Sequence, residues 1–207
     1  MRRLIIAGCR GSGLKALEVV EAAGHWDSIC FVDDDTEVQG TFFEGRRVWG
    51  LKDLREDMEY EAVCPIGNPA NRLRMIERLQ SLENVTFPNV AHPSACVSNR
   101  AILGVGNLFS QGVVVQAGAK IGDFNTFNVH AVMGPMAKVW SYCTINSHTM
   151  IASEAVIGSY SYIGMGAMIK QRINVAEETT VGANAFVNKE FEEGCTLVGI
   201  PAWRITT

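Results

Sequence analysis

Two histidines in the second half of the chain have a spacing that could support proton transfer. His130 and His148 are 18 residues apart, and Asn128 and Asn146 repeat that spacing two positions earlier. A neutral imidazole can accept a proton near neutral pH, which is the work of a general base. A plain polar ladder or a contact between subunits would produce the same spacing. A metal site is less well supported, because no Asp, Glu or Cys accompanies the pair.

A glycine-rich turn near the N-terminus has a pattern that suits phosphate binding. Gly8-Cys9-Arg10-Gly11-Ser12-Gly13 lies between a predicted strand and a predicted helix. Backbone N–H groups at a helix N-terminus favour anions, and an acidic residue about 20 positions later can bind a ribose hydroxyl. Asp33, Asp34 and Asp35 follow the next predicted strand, and we expect one of them to be functional. The spacing is GxxGxG and not GxGxxG, so it argues only weakly for NAD, and a turn that merely requires glycine would also explain it.

The elements that must position the N-terminal groups form an alternating pattern. Strands are predicted at residues 3–7, 28–32 and 62–66, and helices at residues 14–23 and 71–82. Strands that alternate with helices indicate a small parallel α/β sheet. Pro65 indicates the end or the edge of the third strand.

The elements that must position the histidines come from a six-residue repeat. Every sixth residue from Val97 to Val187 is large and apolar, sixteen in all, and the series ends at Glu193. A period of six fits neither a helix nor a plain strand. It fits a short strand followed by a corner, where Gly or Asn tolerates unusual backbone angles. Three such units close a triangular coil, and about five coils stack as parallel strands about 4.8 Å apart. This predicts a left-handed parallel β-helix in which the two histidines stack.

The composition of the 207 residues excludes several classes of protein. Apolar residues make up 47% and charged residues 19%, which indicates a globular chain. The formal net charge is −4 and there is no basic stripe, which argues against a nucleic-acid partner. No apolar run approaches the ~20 residues of a membrane span. Six scattered cysteines without metal-ligand spacing indicate a reducing, cytoplasmic compartment.

Taken together, the motifs resemble those of the bacterial sugar O-/N-acetyltransferases. The resemblance rests on the GxxGxG turn, "FVDDD" at the second strand, "IGN" before the second helix, "HPSA" at His92–Ala95, the hexapeptides and "VGIPAWRI" at Val198–Ile205. That family includes sialic acid O-acetyltransferases and UDP-amino-sugar N-acetyltransferases. The resemblance implies a Rossmann-like nucleotide-sugar-binding domain at residues 1–88, followed by an all-β, left-handed β-helix acyltransferase domain at residues 89–207.

The resemblance also implies an activity and a set of site residues. It implies a homotrimer that transfers an acyl group, typically from acetyl-CoA bound between neighbouring β-helices, to an amine or hydroxyl of a nucleotide-linked sugar. No metal is expected. Matched by position, the backbone amide for the acyl oxygen falls at Ser153, and the CoA-lining region falls around Gly164, Ala183 and Pro201. The predicted sugar-nucleotide site consists of Gly8, Gly11, Ser12, Gly13, Asp33, Asp34 and Asn68.

The chain departs from the family at the expected general base. In the repeat register, Pro135 stands where the family has its catalytic histidine, and Met136 where it has an acidic residue. Neither side chain can accept a proton. Trp140 and Tyr142 make the nearby corner bulkier than usual. Three hypotheses follow: an acyltransferase whose base is His130 or His148, with Asn128 beside it; a catalytically lapsed homologue that still binds its ligands; and an acyltransferase whose amine acceptor needs little help from a base.

Overall fold

The N-terminal part of the chain is a six-stranded sheet with two long helices. The structure is a computed structural model that describes residues 1–192 and 194–205. Glu193, where the apolar series ends, and the last two residues of the predicted second domain lie outside the described residues. The elements are β1 (Arg3–Ala7), α1 (Gly11–Ala23), β2 (Ser28–Val32), β3 (Phe42–Phe43), β4 (Arg46–Trp49), a 3₁₀ turn (Leu51–Asp53), β5 (Tyr60–Val63), α2 (Pro69–Gln80) and β6 (Val85–Thr86). The sheet has the strand order β3-β4-β2-β1-β5-β6, and its pairs are parallel except for β3–β4.

Both helices begin earlier than the sequence pattern predicted. The glycine-rich turn itself forms the first turn of α1, where the amide of Leu14 donates to the carbonyl of Arg10 at 3.0 Å. Helix α2 begins at Pro69, which tolerates the first helical position because its missing N–H would have no partner there. The side chain of Asn68 caps this helix. The residues that precede the predicted starts carry no large apolar side chain, so a search for apolar periodicity did not detect them: Gly11, Ser12, Gly13, Pro69 and Ala70.

The strand predicted at residues 62–66 is wrong at both ends, since β5 covers Tyr60–Val63. Pro65 lacks the N–H that a ladder needs, so the strand ends before it. Three short strands, β3, β4 and β6, were not predicted, and β3 and β6 form the two edges of the sheet. Strands of this length carry too few residues to show an alternating pattern.

The second half of the chain is the predicted left-handed β-helix, with three flat faces of parallel strands. The first face contains Val90–Ala91, Leu108–Phe109, Thr126–Phe127, Thr144–Ile145, Tyr162–Ile163, Thr180–Val181, Thr196–Val198 and the antiparallel Trp203–Ile205. The second face contains Cys96–Val97, Val114–Val115, Val132–Met133, Met150–Ile151, Met168–Ile169 and Phe186–Val187. The third face contains Ile102–Leu103, Lys120–Ile121, Lys138–Val139, Val156–Ile157 and Asn174–Val175.

The apolar series forms the core of the β-helix, which confirms the repeat. Fourteen of its sixteen members are buried, and Val97 and Leu103 pack half-buried against the same cluster. The helix starts one strand before the predicted series, because Val90–Ala91 pairs with Leu108–Phe109. That strand escaped the pattern because the residue in register with Phe109 is the small Ala91.

The corners differ from the expectation that Gly or Asn would occupy them. Every sixth residue from 106 to 184 has a positive φ, yet ten of these fourteen positions are not glycine. Hydrogen bonds between coils hold the unusual angles, as where the amide of His148 donates to Val129 O at 3.0 Å. The glycines that follow the large residues serve another purpose. A Cβ at Gly134, for example, would lie 2.8 Å from the amide nitrogen of Ser153 in the next coil.

The N-terminal sheet domain covers the first face and leaves the second face open. Helix α1 packs through Leu17 and Val20 against a cluster that includes Leu108 of the first face. The outward residues of the second face are apolar in all six strands: Cys96, Val114, Val132, Met150, Met168 and Phe186. Met150 is 51% exposed and Met168 41%. The described residues therefore leave an apolar strip uncovered along one side of the prism.

Candidate active site

A pocket of about 580 Å³ opens at the carboxyl ends of β1, β2 and β5, and we call it the sheet-edge pocket. In open parallel sheets this is where ligands bind, because the connections leave in opposite directions from neighbouring strands. Six of the seven residues predicted to bind the sugar nucleotide line it: Gly8, Gly11, Ser12, Gly13, Asp33 and Asp34. The tertiary structure thus gathers the glycine-rich turn and the acidic strand end in one place.

The N-terminus of α1 opens into this pocket. The capping residue Arg10 makes no side-chain cap, and the first turn carries no acidic residue. The first amides of a helix lack internal partners and carry a partial positive charge, which favours phosphate. Gly13 must be glycine, because a Cβ there would collide with the carbonyl of Gly8.

Sequence reasoning missed three lining residues that bear on the ligand's charge. Arg10, Arg74 and Asn71 also line the sheet-edge pocket. Arg10 belongs to the glycine-rich turn itself, so its positive charge could have marked it in the sequence as a candidate phosphate-binding residue. Arg74 and Asn71 lie on α2, about 60 residues further along the chain, where no motif marks them. Two arginines beside an open helix N-terminus suit a diphosphate, since guanidinium groups bind phosphate in a bidentate manner.

The three acidic residues have different partners. The Asp33 carboxylate accepts hydrogen bonds from the amides of Cys9 at 2.9 Å and Asp35 at 3.0 Å. Burial raises the pKa of Asp33, but these hydrogen bonds outweigh burial and lower its pKa overall. Asp33 therefore holds the glycine-rich turn in place. Asp34 pairs with Arg78, and Asp35 pairs with Arg10 at 2.7 Å.

Asn68, the seventh predicted residue, lies elsewhere. Its Oδ1 accepts a hydrogen bond from the amide of Asn71 at 3.0 Å, which caps α2. Asn68 lines a second pocket of about 660 Å³, which lies between the start of α2 and the first face and which we call the α2 cleft. Gly67 lines the sheet-edge pocket and Asn68 lines the α2 cleft, so the chain passes from one pocket to the other between these two residues.

The two histidines stack on one edge of the prism, as predicted. The rings of His130 and His148 have centroids 5.3 Å apart and an interplanar angle of 25°. Both side chains are exposed. Beside them, Asn128 Nδ2 donates to Asn146 Oδ1 at 3.1 Å, which confirms the asparagine column as well. Both rings are therefore accessible to a ligand that lies along this edge, which we call the histidine edge (residues 128–131, 146–149, 164–167 and 182–185).

Three of the four residues predicted to hold acetyl-CoA lie on two different edges of the prism. Gly164 and Ala183 lie on the histidine edge, in the coils after His148. Ser153 lies on the edge between the second and third faces, one coil after Pro135, where the amide of Glu154 donates to Pro135 O at 3.0 Å. We call this the serine edge (residues 134–137, 152–155 and 170–173). Within one chain, the histidines and Ser153 therefore flank opposite sides of the second face.

Pro201 lies near the C-terminal end of the second face. It is exposed, and the amide of the next residue, Ala202, donates to the carbonyl of Phe186 at 2.8 Å. In residues 1–192 and 194–205, no three His, Cys, Asp or Glu side chains converge as a metal site would need. Over the same residues, no helix has the length and apolar character needed to cross a membrane.

Comparisons with known proteins place these features in context. Residues 3–79 match the family model described as the PglD N-terminal domain. None of the curated proteins compared with the chain matches it. Among solved structures, the acetyltransferase domain of PglB from Neisseria gonorrhoeae FA1090, in complex with acetyl coenzyme A, is 30% identical with a TM-score of 0.91. The match covers 99% of this chain and 99% of that chain.

Two further structures are similar over nearly the full length. PerB from Caulobacter crescentus, in complex with CoA and GDP-perosamine, is 25% identical with a TM-score of 0.92, and the match covers 100% of this chain and 98% of that chain. WeeI from Acinetobacter baumannii AYE is 22% identical with a TM-score of 0.80, covering 99% of this chain and 100% of that chain. At that identity WeeI supports the fold alone.

Proposed function

Since this chain belongs to the bacterial sugar acetyltransferases that join a Rossmann-like domain to a left-handed β-helix, we propose that it transfers the acetyl group of acetyl-CoA to an amine or hydroxyl of a nucleotide-linked sugar. The observation that carries this proposal is the sheet-edge pocket, where an open helix N-terminus, two arginines and acidic side chains converge. PerB, which resembles the chain over its full length, was solved with CoA and a nucleotide sugar. The chain offers matching groups for the diphosphate and the ribose.

The two parts of the chain take different roles in this proposal. Residues 1–88 bind the nucleotide sugar, with the diphosphate at the amides of Gly11 to Gly13 and a ribose hydroxyl at Asp34. Residues 89–207 hold acetyl-CoA and carry out acyl transfer. The division is supported by the separate location of the sheet-edge pocket and of the two β-helix edges.

Arg74→Ala is expected to weaken the binding of nucleotide diphosphates about tenfold, since it removes one charge-assisted contact with the diphosphate. The measurement is the melting-temperature shift with UDP, GDP and dTDP, because a ligand that binds only the native state raises the melting temperature. Arg55→Ala is the matched control, since Arg55 pairs with Asp57 on the surface and does not line the pocket. Equal binding by the two variants would place the diphosphate elsewhere.

The activity itself is tested by release of free thiol from acetyl-CoA in the presence of nucleotide-linked amino sugars. Thiol release that depends on the sugar supports the proposal. Binding of both ligands without thiol release with any nucleotide sugar would support the alternative, a homologue that has kept its pockets and lost its base. Pro135, in the position of the family's histidine, is the observation that favours this alternative.

We further infer that the protein acts as a homotrimer. Three copies that pack around their apolar second faces would bring the histidine edge of one subunit against the serine edge of the next. That arrangement supplies what one chain lacks, namely a histidine near the Ser153 amide and a cleft for CoA between subunits. A solution mass of one chain, 22.6 kDa, at the concentrations used for assays would count against it.

The cytoplasm is the proposed compartment, which agrees with six free cysteines in the described residues. Acetyl-CoA and nucleotide sugars are made in the cytoplasm, so both proposed substrates would be available to the protein in that compartment. Recovery of the protein solely in an extracytoplasmic fraction would contradict this assignment.

A further inference from the structure

The α2 cleft is similar in size to the sheet-edge pocket but has a different chemical character. Its volume is about 660 Å³, within the ordinary range for small-molecule sites. One wall is the first turn of α2, with Pro69, Ala70 and Leu73. The other wall is the first face and its neighbouring corner, with Tyr160, Tyr162, Glu178 and Thr180. The proposed function assigns no role to any residue of this lining.

The lining of the α2 cleft combines aromatic rings with groups that bind hydroxyls. Tyr160 and Tyr162 provide ring surface and phenol groups, while Glu178, Asn68 and Thr180 provide a carboxylate, an amide and a hydroxyl. The side-chain oxygen of Asn68 is occupied by the cap, so a ligand meets its NH₂ group as a donor. An apolar surface with a hydrogen-bonding rim matches a pyranose, whose C–H face is apolar and whose hydroxyls lie around the ring.

The side-chain charge of this lining disfavours phosphate. The lining contains no Lys, Arg or His, and its one charged side chain is Glu178. A phosphate would be repelled by that carboxylate and would find no cationic side chain to neutralise it. The start of α2 offers it few amides, because Pro69 has no N–H and the Asn71 amide already donates to Asn68. A protonated amine would instead be attracted to Glu178. The preferred ligand is therefore an unphosphorylated sugar, with an amino sugar favoured over a neutral one.

The aromatic wall is held in place before any ligand arrives. The Tyr160 ring stacks on Tyr142 with centroids 5.3 Å apart and an interplanar angle of 11°, and Tyr142 in turn packs on Phe124 at 5.3 Å. The amide of Tyr160 donates to Ser141 O at 3.0 Å, and that of Glu178 to Ser159 O at 2.9 Å. These bonds between coils fix the corner backbone, and the stack on Tyr142 orders the Tyr160 ring, so little conformational entropy of that side chain is lost when a ligand binds.

A buried polar network separates the α2 cleft from the sheet-edge pocket. The guanidinium of Arg72, which is fully buried, donates to Thr144 Oγ1 at 3.0 Å and to Ile66 O at 3.0 Å. Thr144 Oγ1 in turn donates to Gly67 O at 2.7 Å. This network holds the Ile66–Gly67 loop, which lines the sheet-edge pocket, in one position against the first face.

We propose that the α2 cleft is a second carbohydrate site, which takes an unphosphorylated pyranose ring, preferentially one with a free amine. The ring lies against Tyr162 and its amine faces Glu178. The same ring chemistry is offered by a free monosaccharide and by a residue of a glycan. Occupancy of this site is independent of the nucleotide-linked sugar in the sheet-edge pocket.

The test is saturation-transfer NMR and calorimetry on the full chain with methyl glucosaminide, methyl glucoside and glucose 6-phosphate. Methyl glucosaminide is expected to bind most tightly and glucose 6-phosphate not at all. Tyr162→Ala should weaken the binding of methyl glucosaminide about tenfold, whereas Tyr162→Phe, which keeps the ring, should retain most of it. Glu178→Gln should abolish the preference for the amine. UDP should bind to all three variants as to the parent chain, which also shows that they are folded.

Several results would overturn the proposal. These are no binding of any glycoside up to ~20 mM, binding that Tyr162→Ala leaves unchanged, or displacement of the glycoside by UDP, which would put it in the sheet-edge pocket. A glucosamine disaccharide that binds more tightly than the methyl glycoside would identify a glycan residue as the occupant. Equal binding would identify a monosaccharide.

Discussion

His148→Ala is expected to lower kcat for thiol release about 100-fold or more, with little change in the KM for acetyl-CoA. General-base catalysis contributes to the transition state, in which the attacking amine or hydroxyl loses its proton, and not to binding of the thioester. His148 is exposed, stacks on His130, and lies one coil from Gly164 on the edge where CoA is proposed to bind. Of the two histidines, it is therefore the better placed to reach an acceptor beside the thioester.

The control variants separate the base from its neighbours. His148→Gln keeps a hydrogen-bonding side chain without a basic nitrogen, so it should be as slow as His148→Ala. His130→Ala removes the stacking partner and should have a smaller effect, and His25→Ala, an exposed histidine of the N-terminal domain, should have none. If neither His130→Ala nor His148→Ala slows turnover, the assignment of the base is wrong. An amine acceptor that arrives deprotonated would then explain activity, and kcat/KM would follow the ionisation of the amine alone.

Arg72→Met is expected to lower the free energy of unfolding by about 3 kcal/mol. The Arg72 guanidinium is fully buried and donates to Tyr142 O at 2.6 Å, to Ile66 O at 3.0 Å, and to the hydroxyls of Thr126 and Thr144 at 3.2 and 3.0 Å. Methionine fills a similar volume but leaves the two carbonyls without donors in a dry interface. Urea denaturation, read by tryptophan fluorescence, measures the change.

Two opposing effects determine how Arg72→Met changes the free energy of unfolding. Burial lowers the pKa of Arg72 to about 10, which reflects the cost of a buried cation. In the described parts of the chain no carboxylate pairs with it, and its Nε has no hydrogen-bond partner. Removing the charge recovers some of that cost, but the loss of four hydrogen bonds at the junction between α2 and the first face outweighs it.

The matched control is Arg78→Met on the same helix, where an exposed pair with Asp34 is lost and a change of less than about 1 kcal/mol is expected. Arg72→Lys should lie between the two, since an ammonium group cannot span the same acceptors. A stability of Arg72→Met equal to or above that of the parent chain would show that the buried charge costs more than its hydrogen bonds return. Nucleotide binding should weaken in parallel, because Arg72 holds the Ile66–Gly67 wall of the sheet-edge pocket.

The sequence alone determined the β-helix and much of the sheet-edge pocket. A six-residue repeat in side-chain size predicts a β-helix with 18 residues per coil. The stacking of His130 on His148 followed from their separation of 18 residues. The glycine-rich turn and the acidic strand end were likewise readable, because parallel strands align their carboxyl ends at one edge. Arg74, by contrast, joins this pocket from a helix whose sequence carries no signal for the role.

Only the tertiary structure decided which residues from distant parts of the chain lie next to each other. The packing of α2 on the first face buried Arg72, separated Asn68 from the other predicted ligands, and created the α2 cleft. It also placed Ser153 and the histidines on different edges of the prism. A local sequence pattern determines the periodicity of one element. The packing of two elements depends instead on which of their apolar surfaces are removed from water together. No single spacing in the sequence carries that information.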